Sequence, residues 1–197
     1  MKLATLVASV FAIVVLSAQL ALFAGAARAA DSDPFAELAR PGRVLLLRHA
    51  NAPGVGDPQN FKLHDCRTQR NLDAAGREQA VQLGEHLRAA GIVRAKIYSS
   101  QWCRCLETAR LLKLGSVNEL PALNSFFDRP QDRERNLSAL RDFIAGLPID
   151  GPPVVLVTHR ATIAALTGVP AASSAGGVIL RLDHSRVPQV VAAIGKK

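Results

Sequence analysis

Short apolar runs alternate with amphipathic stretches along most of the chain, and the period of the pattern changes between them. Residues 43–47 (RVLLL) are an aliphatic run after Pro41-Gly42, the pattern of a strand buried on both faces. Residues 95–99 (AKIYS) and 154–158 (VVLVT) repeat it; 117–119 is a shorter candidate, and 178–182 and 190–194 read as closing strands. Between them the period is helical. After Asp73, a natural N-cap, Ala80, Leu83 and Leu87 share one face that stops at Gly91. Residues 101–112 are helical again, and Leu137, Leu140, Phe143 and Ile144 form a further face closed by Gly146 and Pro148. Residues 161–167 give a short helix ending at Gly168, while 51–70 and 121–133 read as loops.

Strand alternating with helix predicts an α/β fold: a three-layer sandwich with a mainly parallel central sheet flanked by helices. In such sheets ligands bind beyond the carboxyl ends of the strands. Three of the apolar runs end in residues with chemical capacity. The first leads into Arg48-His49, the second into Ser99-Ser100 and then Arg104, the third into Thr158-His159. If these strands are parallel, two imidazoles and two guanidinium groups meet in one crevice.

The N-terminus stands apart from this pattern. Lys2 precedes an uncharged stretch over 3–25 that leads into Ala27-Arg28-Ala29, a triplet with the small residues signal peptidase requires. This predicts an export signal over 1–29 and a single domain over 30–197, periplasmic or secreted. A retained anchor is the alternative, since the run is long enough to span a bilayer; Thr5, Ser9, Ser17 and Gln19 dilute it, and cleavage leaves no stable membrane insertion. Cleavage would remove Lys2 and Arg28 and no acid, lowering the net charge from +8 to +6. A basic exported domain suits an anionic small molecule. Nucleic acid is not expected, because no basic stripe is interleaved with aromatic residues. Of the three cysteines, Cys66 is expected to bridge to Cys103 or Cys105 in an oxidising compartment.

Arginine forks match phosphate oxygens through paired, charge-assisted bonds, and an imidazole can attack phosphorus to form a phosphoenzyme. A second imidazole can donate to the equatorial oxygens as charge spreads over them. Neither role calls for a metal or cofactor. Leu47-Arg48-His49-Ala50 resembles the signature of the histidine phosphatase (phosphoglycerate mutase-like) superfamily, whose commoner form is Arg-His-Gly. Tyr98-Ser99-Ser100, Arg104 and Glu107-Thr108-Ala109 are similar to that family's second block, and Val157-Thr158-His159 to its third. The resemblance implies His49 as nucleophile, Arg48 and Arg104 as phosphate clamps and His159 as the second pocket histidine. Asn51 is a further candidate donor to phosphate, although the family's usual asparagine lies farther along the loop, near Val55.

The family's glutamate, which follows a leucine after the second block, is replaced here by Ser125 after Leu123-Asn124. Asp128 is the nearest carboxylate and the candidate general acid, with Asp132 behind it. Glu107 reads as a helical partner of Arg104 or Arg110, and His64 with Cys66 lacks the further ligands of a metal site. The expected function is hydrolysis of a phosphate monoester through a phosphohistidine, the substrate being a periplasmic or envelope ester. The alternative is a non-catalytic module of the same fold that holds phosphate or a polyanion without turnover.

Overall fold

The computed structural model describes residues 33–170 and 173–195. The segment read as an export signal lies outside the described residues. Asp33 caps a short helix, α1 (Pro34–Leu38), by accepting from the Phe35 amide, with proline at the first helical position where its missing N–H costs nothing. Sequence patterning gave no sign of this element, because five residues are too few to show a period.

Six strands form one sheet: β1 (Arg43–Arg48), β2 (Lys96–Ser99), β3 (Val117–Glu119), β4 (Val154–Thr158), β5 (Gly177–Arg181) and β6 (Gln189–Ile194). Their order is β3-β2-β4-β1-β5-β6. The β3–β2, β2–β4 and β4–β1 pairings are parallel; β5 and β6 continue the sheet antiparallel. The sheet is thus mainly parallel, and the connection between β5 and β6, too short for a crossover, makes that pair antiparallel.

Strand alternation sorts the aliphatic runs into two cores. Leu45, Leu47, Ile97, Val155 and Val157 face α2 (Ala74–Ala89) and α3 (Cys103–Leu111), packing on Leu83, Leu87, Cys105 and Ala109. Val44, Leu46, Val154 and Leu156 face the other side, against Leu140 and Ile144 of α4 (Arg133–Ala145) and Ile163 of α5 (Arg160–Thr167). Helices on both faces make the three-layer sandwich. Gly168 ends α5 in the left-handed conformation that the sequence anticipated.

Asp73 caps α2, accepting from Gly76 N at 2.6 Å. Gly76 itself is required by contact: a Cβ there would stand 2.0 Å from the Asn51 carbonyl oxygen. The loop that follows β1 therefore lies directly on the first turn of α2.

Candidate active site

The register β1–β4, with Arg48 opposite Thr158, sets His49 and His159 side by side at the carboxyl edge of the sheet. His49 N donates to Thr158 O at 3.0 Å. The next amide, Ala50 N, donates to Thr108 Oγ1 at 3.0 Å, and that hydroxyl donates on to Arg104 O. Thr108 therefore ties the backbone after the histidine to the helix that carries Arg104.

The His49 ring is almost wholly buried, with Nδ1 2.7 Å from Ala50 O. Burial, helped by the positive charge of Arg104, pushes its pKa down to about 3, so the ring is neutral. A neutral imidazole that meets a carbonyl through Nδ1 carries its proton there, and Nε2 keeps its lone pair. His159 lies beside it, the ring centroids 5.6 Å apart. It too is held well below the usual range, by burial and then by Arg104 and His49. Its Nε2 is engaged away from His49, 2.9 Å from Ser100 Oγ and 3.5 Å from the Cys105 thiol. That thiol is fully buried and pushed up to about 12, so it stays protonated.

A pocket of about 350 Å³ opens over the two rings. Arg48, Arg70, Arg104 and Arg160 line it with positive charge, and Val55, Ser125, Phe127 and Asp128 contribute to its rim. Burial lowers the pKa of both Arg48 and Arg70, reinforced by neighbouring guanidinium groups. Such crowding of like charge is eased when an anion enters among the guanidinium groups.

Arg104 is 3% exposed and meets a buried carboxylate, Asp57, through two bonds: Nη1 to Oδ1 at 2.8 Å and Nη2 to Oδ2 at 3.1 Å. Trp102 Nε1 and the Arg70 amide complete the donors on Asp57, at 2.9 and 3.1 Å. Removing either side of a buried ion pair leaves an uncompensated charge, worth about 3–5 kcal/mol. Arg104 Nε is buried with no hydrogen-bond partner among the described residues.

The loop carrying Asp57 and Arg70 is fastened to α3 by a disulfide between Cys66 and Cys103, one residue before Arg104. Arg70 holds the loop from within, donating from Nε to Gly56 O at 2.8 Å and from Nη1 to Ala52 O.

The structure brings together Arg48, His49, Arg104, His159 and Asp128, all lining the pocket. Asn51 is a correction. It does not line the pocket; its amide donates to Asp73 Oδ2 at 2.9 Å, bracing the N-cap of α2. Asp132 also faces elsewhere and pairs with Arg135. Glu107 pairs across the helices with Arg77 at 2.6 Å, because Asp57 has claimed Arg104. Cys66 is in the disulfide, which removes it as a metal ligand beside His64. Sequence reasoning missed Asp57 and Arg160, and of Arg70 had only that it closes a loop. Asp57 lies between Gly56 and Pro58, where an acid reads simply as a turn residue.

The model of the histidine phosphatase superfamily (branch 1) matches residues 44–126. No curated protein matches the chain. Among solved structures, the protein histidine phosphatase SixA complexed with tungstate is similar at 16% identity and a TM-score of 0.60, over 78% of this chain and 96% of that one. A mycobacterial glucosyl-3-phosphoglycerate phosphatase in complex with VO3 is similar at 22% identity and a TM-score of 0.55, over 76% and 96%. At these identities the likeness establishes the shared fold.

Proposed function

We propose that the chain, whose residues 44–126 match the model of the histidine phosphatase superfamily, is a member of it and hydrolyses phosphate monoesters through a phosphohistidine on His49. The observation that carries the reading is a neutral, buried His49 with Nδ1 committed to Ala50 O, beneath a pocket walled by four arginines. Nε2 attacks phosphorus and the bond from phosphorus to the ester oxygen breaks. The ring becomes cationic, still donating Nδ1–H to Ala50 O. Arg48, Arg70, Arg104 and the neutral His159 offset charge on the equatorial oxygens. Water then attacks phosphorus, the bond to Nε2 breaks, and phosphate leaves a neutral imidazole behind. With the arginines supplying the positive charge, the reaction is proposed to need no metal.

Asp128, on the exposed rim of the pocket, is the proposed donor to the leaving oxygen. Ser125, buried where the family's glutamate would stand, has no proton to give at the required acidity. The rim also carries Val55 and Phe127, both largely exposed, against which the alcohol portion of the ester would lie. A small, polar envelope ester such as a sugar phosphate fits this open, positive pocket. The Cys66–Cys103 disulfide supports an oxidising compartment and hence export to the periplasm or beyond.

The test is hydrolysis of an activated aryl phosphate in chelator by the mature domain and by His49→Ala. Turnover that survives chelator and drops at least about 10⁴-fold in the variant supports the reading. Equal rates in the two proteins, or binding of phosphate without turnover of any ester offered, turn the assignment to a phosphate-binding module.

A further inference from the structure

Arg104 is tightly held among the pocket's cations, and the hold comes from Asp57. The two bonds between them use the outer end of the guanidinium, one hydrogen each from Nη1 and Nη2. A third Arg104 contact, Nη1 to Arg70 O at 3.4 Å, uses the side nearest the stem. What remains is the lateral edge, made of Nε–H and the second Nη2 hydrogen, and Nε is buried without a partner among the described residues. This edge belongs to a side chain lining the phosphate pocket.

Asp57 is equally committed. Oδ1 receives Arg104 Nη1 and the Arg70 amide; Oδ2 receives Trp102 Nε1 and Arg104 Nη2. With two donors on each oxygen the carboxylate has no lone pair to spare for a substrate proton, and it is not among the residues that line the pocket. Burial alone would raise its pKa, but the bonds and charge of Arg104, then Trp102 and the Arg70 amide, hold it below the ordinary carboxylate range.

We propose that Asp57 is a positioning residue: it grips Arg104 end-on so that the lateral Nε/Nη2 edge faces the transferring phosphoryl group. The proposal rests on the phosphatase reading. A guanidinium held by one carboxylate can rotate about its stem; the Trp102 and Arg70 donors stop that rotation by fixing the carboxylate itself. The gain is greatest where the equatorial oxygens are most charged and spread, in the five-coordinate transition state, and smaller in the ground state.

The experiment titrates orthovanadate, which adopts a five-coordinate geometry on a nucleophile, and inorganic phosphate against wild type, Asp57→Asn, Arg104→Ala and the double variant. Asp57→Asn is expected to weaken vanadate about 30-fold and phosphate only about threefold. In the Arg104→Ala background the same substitution should change neither. Equal losses for the two anions, or a full effect of Asp57→Asn without Arg104, would overturn the proposal. Trp102→Phe keeps an aromatic side chain and removes one donor from Oδ2; a loss of about threefold for vanadate is expected. It decides the matter should Asp57→Asn not fold, wild-type vanadate affinity in it counting against the proposal. A wild type that binds vanadate yet hydrolyses no ester refutes the phosphatase reading, while the same titrations still judge Asp57.

Discussion

The floor of the site and its loop wall are held by opposite means. On the floor, the chemistry-bearing residues sit at strand ends where the ladder continues past them: Arg48 N bonds to Gly176 O, His49 N to Thr158 O and Ser100 N to Val157 O. Their positions follow from sheet register, reinforced by two hydrophobic cores. The wall over 51–70 has one 3₁₀ turn, Cys66–Thr68, and an isolated bridge between Lys62 and Asp65. It is fastened by side chains instead. Gln69 donates to the Lys62 and Leu63 carbonyls and accepts from Cys103 N; Arg70 ties Gly56 and Ala52; Asp57 grips Arg104; Cys66 is bonded to Cys103. The floor residues, His49 among them, are placed by the order of the sheet. A wall that shapes the pocket without regular structure has to be cross-linked.

Breaking the cross-link gives the largest separation of the two regions. Reduction of the disulfide, or Cys66→Ser with Cys103→Ser, frees a loop closed across 37 residues. On chain-entropy grounds this costs about 3–4 kcal/mol of stability. Turnover of an aryl phosphate should fall by about tenfold or more as Asp57 and Arg70 lose their frame. Denaturant melts and steady-state kinetics, with and without reductant, check both. Unchanged kinetics after complete reduction would mean that the side-chain bonds hold the wall unaided.

Asp128 tests the rim alone. Asp128→Asn is expected to slow alkyl phosphate hydrolysis by about 30-fold while leaving activated aryl phosphates within about threefold, since only poor leaving groups need the proton. An equal loss on both substrates would assign Asp128 to binding.

Little of the wall could be read from the sequence, for a physical reason. Strand ends are announced by the aliphatic runs before them, so Arg48, His49 and His159, with Arg104 shortly past the end of β2, were legible as a set, and the six strands with them. Asp57 acts through a partner 47 residues away, and nothing local distinguishes it from an acid that starts a turn. Asn51 misled for the converse reason. Its place after His49 suggested a ligand contact, whereas the close approach of Gly76 turns it onto α2. The cysteine count narrowed the bridge to two choices; Cys105 is excluded because it points under His159 into the core.

The floor has its own signature, in pH. His49 and His159 are depressed well below the ordinary value of about 6.5. The unfolded chain therefore takes up protons that the folded chain refuses. Stability is complete above about pH 6.5 and is lost as pH falls, for His49 until about 3. The melting temperature should decline between pH 6.5 and 4.5, above the window in which Asp57 acts in the same direction. His49→Asn should flatten that decline, and a decline of wild-type steepness in the variant would refute the neutral, buried assignment.

The smallest effect expected is also the one that best divides scaffold from site. Asn51 bonds Asp73, which caps α2, and its own amide N–H is held by Gln79 Oε1 at 2.9 Å. Asn51→Ala removes the bond to Asp73 and leaves the backbone bond, so the cap is weakened and not lost. A loss of about 1 kcal/mol in stability follows, the ordinary worth of one such hydrogen bond. Inhibition by inorganic phosphate should be unchanged within about twofold, because no atom of Asn51 lines the pocket. A tenfold weaker phosphate with unaltered stability would put Asn51 back at the ligand. It would also mean that the loop after β1 swings away from α2 when the anion enters, making even the start of the wall a moving part.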